Sequence, residues 1–156
     1  LDAHPELGNN AQLGRVLGLV PLEGAAGRFG EQSLGWTGTC ADTNGFESAA
    51  ALSEFVENIL NRPVTLVDGA QAAIKKIAWC TGGAQGYFEA AIAAGADAFI
   101  TGEISEPQAH YARECGVAYL ACGHHASERY GAPAVAAHVA QQLGLAHVFI
   151  DIDNPA

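Results

Sequence analysis

The stretch CTGGAQGYFEAAIAAGADAFITGEISEPQAHYARECGVAYLACGHH, residues 80–125, decides the fold of this chain. Within it, short apolar runs at 97–101 and 117–121 alternate with helical patterns at about 87–94 and 105–115. Strands that alternate with helices of this length predict βαβ units and a sheet covered by helices. Because the runs are apolar throughout, they are typical of parallel strands that are buried on both faces. We therefore predict an α/β fold with a mostly parallel sheet.

Outside this stretch, apolar residues at helical spacing predict a helix over 44–61, which ends before Pro63 because a residue that precedes proline disfavours helical geometry. The other predicted elements are strands at 64–67, 74–80 and 146–152 and a helix at 124–143. We expect the four strands near 76–80, 97–101, 117–121 and 147–151 to be mutually adjacent. Residues 20–75 are the least certain segment, and their glycine-rich first part is compatible with strands and loops around FGEQSLGWTGTC.

Length and composition limit the class of protein. The 156 residues predict a single α/β unit, and 49% hydrophobic against 15% charged residues excludes a disordered chain. A net charge of −10 with seven Lys and Arg residues opposes nucleic-acid binding, and no apolar run is long enough for a membrane span. The four cysteines include no C-x-x-C pair, which favours buried thiols in a reducing cytoplasm over disulfides.

Candidate site residues follow the ends of three successive predicted strands, in CTGGAQG, TGE and CGHH. Ligands of open α/β sheets bind at the carboxyl ends of the strands, so Glu103, His124 and Glu128 are expected near one another. His124 and Glu128 are four positions apart, which places both side chains on one face of a helix. An imidazole with a carboxylate suits zinc, iron, manganese or nickel. A hydrogen-bonded pair at a helix start explains the same spacing, and the spacing alone favours this pair over a metal site.

Three motifs together resemble the NIF-three-like family, whose bacterial members are called GTP cyclohydrolase 1 type 2 homologues. They are LDAHPELGNNAQLGRVLGL at 1–19, residues 80–115 of the stretch quoted above, and GHHASERYGAPAV at 123–135. The resemblance covers most of the chain and is weakest over 20–75. It implies the α/β fold of that family, a homohexameric ring and two divalent metal ions per complete site.

The resemblance also implies which residues bind metal. The family's aspartate ligand matches Asp2, and its histidine and glutamate ligands match His124 and Glu128. The remaining family ligands are a histidine pair in a segment that precedes the LDAHP motif. Because this sequence starts at Leu1, we expect it to be the carboxyl-terminal part of a longer protein. We further expect Asp2, His124 and Glu128 to converge in the folded chain.

Other candidates have weaker support. Glu103 is a candidate catalytic proton carrier, although a carboxylate at a strand end can equally be solvated. His4 is either a partner that orients Asp2 or a surface histidine. Thr101 ends a strand that points toward the expected cleft, and His125 lies about 100° around the helix from His124, so that it lines a pocket at most. No residue is predicted to bind an organic cofactor.

Two classes of function follow from these residues and the resemblance. The first is a metal-dependent hydrolase in which activated water attacks a purine nucleotide or a similar substrate. The second is a non-catalytic, ring-forming metal-binding protein that serves as an interaction platform or metal carrier. Both place the protein in the cytoplasm with its own copies as partners, and turnover of a nucleotide separates them.

Overall fold

The computed structural model describes residues 1–41, 44–69 and 73–155. Its helices are α1 (Asn9–Val16), α2 (Ala49–Leu60), α3 (Phe88–Ala93), α4 (Glu106–Cys115), α5 (His124–Glu128) and α6 (Gly131–Leu143). Its strands are β1 (Leu19–Pro21), β2 (Arg28–Phe29), β3 (Gly35–Cys40), β4 (Thr65–Val67), β5 (Ile77–Trp79), β6 (Ala98–Thr101) and β7 (Ala118–Ala121). Within the described ranges, no helix is long and apolar enough to cross a membrane.

The seven strands form one sheet in the order β1-β3-β5-β6-β7-β4, with β2 paired to β3. β5, β6 and β7 are parallel neighbours, with Ile77 opposite Ala98 and Ala98 opposite Ala118. β3 and β4 run antiparallel to the neighbours they pair with. Five strands therefore share one direction and two oppose it, so the sheet is mixed with a parallel centre. The predicted α/β class is confirmed.

Both faces of the parallel centre are buried by helices. In β6, Ala98 and Ile100 face one core, to which α1 and α2 contribute Leu13 and Leu52. Phe99 faces the second core, to which α3 and α4 contribute residues. In that core Phe88 stacks on Phe99 with ring centroids 5.7 Å apart. Burial on two faces explains why these strands read as continuous apolar runs.

The glycine-rich first part of the uncertain segment folds as antiparallel strands. β1 and β2 both pair with β3, and Arg28 lies opposite Trp36. The expected strands and loops around FGEQSLGWTGTC are therefore present. The chain before them holds a helix, α1, that the sequence analysis did not predict. The predicted helix over 44–61 is shorter than expected, because Phe46 forms a β-bridge with Ile74 and Ser48 caps the helix by accepting from the Ala51 amide.

Two expectations for the last third of the chain are wrong. The helix predicted over 124–143 is broken between α5 and α6, where the Gly131 amide donates a hydrogen bond of 2.6 Å to Oδ1 of Asn9. The predicted strand at 146–152 is also wrong, since the described residues after Leu143 form no strand. The three strands at 76–80, 97–101 and 117–121 are adjacent as expected, and β4 is the strand that pairs with β7.

Candidate metal site at the strand ends

The loops after β5, β6 and β7 meet at one edge of the sheet. The amides of Gly102 and Gly123 donate to the carbonyls of Gly82 and Gly102, each at 2.9 Å, so the three loops hold one another by backbone hydrogen bonds. The hydroxyl of Thr101 is buried and donates to the Gly82 carbonyl at 3.2 Å. Glu103 lies at this edge in the loop after β6, and His124 lies there at the start of α5. This placement agrees with the prediction that Glu103 and His124 lie near one another at the ends of the strands.

The His124 ring lies between two carboxylates. Its Nδ1 is 2.5 Å from Oε1 of Glu103, and its Nε2 is 2.8 Å from Oε2 of Glu128, one helical turn along α5. The side chains of His124 and Glu103 are 44% and 45% exposed, so the group is open to a small ligand. Glu103, His124 and Glu128 are therefore brought together.

The carboxylates of Glu103 and Glu128 favour the protonated, positively charged form of the His124 ring. The hydrogen bond with Glu103 raises the pKa of His124 above its ordinary value, and Glu128 adds to this effect. The same hydrogen bond lowers the pKa of Glu103. Ionised carboxylates only accept hydrogen bonds, so both ring nitrogens can be satisfied at once only when each bears a proton.

Glu103 is itself fixed from two sides. Nε2 of Gln85 donates to its Oε2 at 3.3 Å, and the Tyr119 hydroxyl donates to its backbone carbonyl at 2.6 Å. Gln85 is held in turn, because Nε2 of Gln108 donates to its backbone carbonyl at 3.2 Å. Thus the carboxylate that faces His124 belongs to a network that reaches the core below β7.

Asp2 lies in the turn that precedes α1. Its Oδ1 accepts a hydrogen bond of 2.7 Å from Nδ2 of Asn9, and the Asn9 side chain also binds the first amide of α6. Asp2 and Glu128 both act on the Cys80 thiol: burial raises its pKa to about 12, and these two negative charges add to the effect. Asp2 thus belongs to the surroundings of the strand-end edge.

Within the described residues, the hydrogen bond of the Asp2 side chain goes to Asn9 and does not join Asp2 to His124 or Glu128. Over residues 1–41, 44–69 and 73–155, no three or more His, Cys, Asp or Glu side chains are arranged to hold a metal ion. The convergence of Asp2 with His124 and Glu128 therefore stays a prediction.

The other candidates occupy different positions. Nδ1 of His4 accepts the backbone amides of Glu6 and Leu7 at 3.2 and 3.0 Å, so its described contacts stabilise the first turn. His125 points away from His124, with Nε2 3.6 Å from Oδ1 of Asp151. It lines a separate cavity of about 570 Å³ with Arg62 and Arg129.

Sequence reasoning missed the buried asparagine that attaches α1 to this edge. Oδ1 of Asn10 accepts the Thr81 amide at 2.7 Å, its Nδ2 donates to the Leu34 carbonyl at 3.0 Å, and its own carbonyl accepts Nε1 of Trp79 at 2.9 Å. Consecutive asparagines directly before an amphipathic segment were a usable signal, because asparagine favours the beginnings of helices.

The donor set tests whether a divalent ion fits here. Nε2 of His124 and Oε2 of Glu128 face each other across 2.8 Å. A metal ion bound by both atoms would replace the proton of this hydrogen bond. Ligands that bind one zinc ion tetrahedrally at about 2.0–2.2 Å lie roughly 3.4 Å from each other, so these two atoms would have to separate by about 0.6 Å to bind zinc together. The two residues fit as part of a metal site, and further donors have to complete it.

Comparisons with known proteins identify the class. The sequence model of Duf34/NIF3 (NGG1p interacting factor 3) matches residues 1–155, and the chain belongs to this family. Proteins called GTP cyclohydrolase 1 type 2 homolog are similar to it: those of Allochromatium vinosum and Pseudomonas aeruginosa are 49% and 46% identical over all 156 residues. The chain spans 59% and 60% of the length of these two relatives.

A solved structure supports the same conclusion. The protein ybgI, described as of unknown function, is 40% identical and superimposes with a TM-score of 0.89. That comparison covers 100% of this chain and 60% of ybgI. The resemblance read from the three sequence motifs is therefore confirmed.

Proposed function

We propose that this chain supplies part of a divalent-metal site of a hydrolase that acts on a purine nucleotide or a similar substrate. The observation that carries the proposal is the His124 ring held between Glu103 and Glu128 at 2.5 and 2.8 Å. His124 and Glu128 would bind the metal ion, with Asp2 as a further ligand. The ion would supply Lewis-acid activation of a water molecule.

The chain's own residues have distinct tasks in this proposal. His124 contributes a nitrogen donor, and Glu128 contributes an oxygen donor from the same helical face. The Glu103 carboxylate is exposed and is the candidate proton carrier of this proposal, while it contacts the ring at the nitrogen that faces away from Glu128. The name GTP cyclohydrolase 1 type 2 homolog, which the relatives carry, supports a nucleotide as the substrate class.

Zinc, iron, manganese and nickel all accept this mixture of nitrogen and oxygen donors. Two ions per complete site, a homohexameric ring and a cytoplasmic location are parts of the same proposal that come from the family resemblance.

Binding and turnover of the full-length protein test this proposal. We expect stoichiometric zinc or manganese binding by calorimetry and product formation from GTP by the metal-loaded protein. His124→Ala and Glu128→Ala should lose both properties, and Asp2→Ala should weaken them. His138→Ala is a matched control, because His138 is exposed on α6. Tight binding that survives His124→Ala would refute the site.

A second candidate is the non-catalytic platform or metal carrier. It is favoured by the apolar side chains exposed on α6 and beyond, which include Leu143, Val148 and Ile152 at 66%, 79% and 73%. The family description, interacting factor 3, names an interaction of that kind for a family member. Metal binding without any turnover of nucleotides would favour this candidate.

A further inference from the structure

We infer that Glu103 is a positioning residue for His124: it accepts the Nδ1 proton and thereby presents the Nε2 lone pair to the metal ion. This inference deepens the proposed function and rests on it. It assigns Glu103 a task at the His124 ring that differs from the role of proton carrier.

The geometry of the imidazole is the first reason. Glu103 and Glu128 contact opposite nitrogens of one ring, and Glu128 is the candidate ligand on the same helix. The nitrogen that faces Glu128 has to lose its proton when a cation binds there, so the remaining proton belongs on Nδ1. Nδ1 is 2.5 Å from Oε1 of Glu103, close enough for a short hydrogen bond to an ionised acceptor. Histidines that bind metals usually donate their second N–H to such a partner, which fixes the tautomer and the ring orientation.

The support of Glu103 is the second reason. A residue can orient its neighbour only if it is held itself, and Glu103 is held by Gln85 at its carboxylate and by Tyr119 at its backbone. Tyr119 is fully buried in the second core, so its hydroxyl is a rigid donor. By contrast, the connection from Glu128 to the ring stays within α5. The orientation of His124 relative to the sheet therefore depends on the contact with Glu103.

Position on the fold is the third reason. Glu103 follows β6, whereas His124 follows β7, and these strands are parallel neighbours in register from Ala98 to Thr101. The contact thus crosses between two strand-end loops and links the orientation of the ring to the centre of the sheet. A small cavity of about 280 Å³ lies beside the pair and also contacts Arg62.

Zinc affinity of the full-length protein, measured by competition with a chromophoric chelator, tests the inference. We expect Glu103→Ala to weaken zinc binding roughly 10- to 100-fold, the usual effect of removing such a partner. Glu103→Gln should restore most of this affinity, because its amide oxygen still accepts from Nδ1–H. Glu89→Ala is the matched control, since it removes an exposed carboxylate from α3 and should leave the affinity unchanged.

A spectroscopic readout separates positioning from a merely structural role. In the zinc-loaded protein, nitrogen NMR should show His124 with a protonated Nδ1 and a zinc-bound Nε2. This signature should be kept in Glu103→Gln and altered in Glu103→Ala, while both variants keep the far-ultraviolet circular dichroism of the parent.

The outcomes distinguish the two proposals. Zinc binding that depends on His124 but is unchanged within twofold in Glu103→Ala would overturn the positioning role alone. Zinc bound through Nδ1 would also overturn it. A parent protein that binds no zinc would overturn the proposed function, and the inference with it.

Discussion

Residues 97–101 and 147–151, DAFIT and HVFID, share Phe-Ile at their third and fourth positions but lie in two different environments. Phe99 is fully buried in β6, between two parallel neighbours and beneath helices on both faces. Phe149 has a similar local sequence but is 48% exposed in a segment that forms no strand within the described residues. An apolar run thus predicts the propensity to form a strand. The strand itself forms only where the edge of another strand is available for pairing.

The largest expected effect tests this contrast directly. Phe99→Ala should lower the free energy of unfolding by about 3–5 kcal/mol, because it empties a fully buried ring site that Phe88, Phe29 and Tyr119 contact. Phe149→Ala in the same 156-residue chain should change it by no more than about 0.5 kcal/mol. Urea unfolding of both variants measures the difference. Comparable losses would mean that the segment after Leu143 is packed.

This contrast also explains which parts of the fold the sequence could predict. β5, β6 and β7 were predictable because their apolar runs, turns and helix caps all agree, as in the capping box of Ser105 and Gln108 that starts α4. The pairing of β4 with β7 was not predictable, because three residues carry no signal for a partner that lies more than 50 positions away. The strand predicted at 146–152 was wrong for a related reason, since its apolar sequence contains no information about which strand it would pair with.

The candidate site was predictable to a similar extent. His124 and Glu128 were found by helical spacing, and Glu103 by its place after a strand. The contact between Glu103 and His124 required knowledge of strand order, which no local pattern contains. Asn10 was missed because its importance comes from three partners that are distant in sequence, and the chain around it was not recognised as a helix.

The polar contacts of Asn10, at the strand-end edge, and of Asp151, in the segment after Leu143, should also differ in their contribution to stability. Asn10→Ala should lower the free energy of unfolding by about 1–3 kcal/mol, because it leaves the buried Thr81 amide unpaired, and it also removes the part-buried hydrogen bond to the Leu34 carbonyl. Asp151→Ala removes the 2.8 Å ion pair with Arg129. The Asp151 side chain is 48% exposed, so this loss should cost about 0–1 kcal/mol. Chemical denaturation at neutral pH measures both. A loss at Asp151 that equals the loss at Asn10 would contradict the ranking.

Two glycines with the same backbone conformation sharpen the comparison further. Gly82 at the strand-end edge has φ +68°, and Gly144 at the end of α6 has φ +65°. Either substitution by alanine should cost about 1–2 kcal/mol of stability, because left-handed geometry is unfavourable with a side chain. They differ in space: a Cβ at Gly82 would lie 2.7 Å from Oε2 of Glu128, whereas nothing lies within 4 Å of one at Gly144.

The difference should appear in metal binding. Gly82→Ala should push the Glu128 carboxylate away from Nε2 of His124 and weaken zinc binding, whereas Gly144→Ala should leave the zinc affinity unchanged. Calorimetric titration of the full-length variants measures this. Equal affinities for the two variants would indicate that Glu128 is not a ligand.

The smallest expected effect, roughly 1 kcal/mol per thiol between pH 8 and pH 10, concerns the thiols of the strand-end edge. Burial raises the pKa of Cys80 and of Cys122 to about 12 from an ordinary value of 9.0. The folded chain therefore keeps both thiols neutral above pH 9, while the unfolded chain ionises them. Their contribution to stability is complete below pH 9 and is lost as the pH rises toward 12, by roughly 1 kcal/mol per thiol for each pH unit.

Unfolding of the parent and of two single variants at pH 8 and pH 10 checks this sign. Cys122→Ala should reduce the loss of stability between the two pH values, because it removes one group that ionises only on unfolding. Cys115→Ala should leave the loss unchanged, since the Cys115 side chain is exposed to water in the folded chain. At neutral pH, a thiol reagent should label Cys115 rapidly and Cys80 and Cys122 only at the rate of unfolding. Rapid labelling of Cys80 in the folded chain would show that the strand-end edge opens to solvent. The difference in burial between this edge and the exposed segment after Leu143 would then be smaller than the structure indicates.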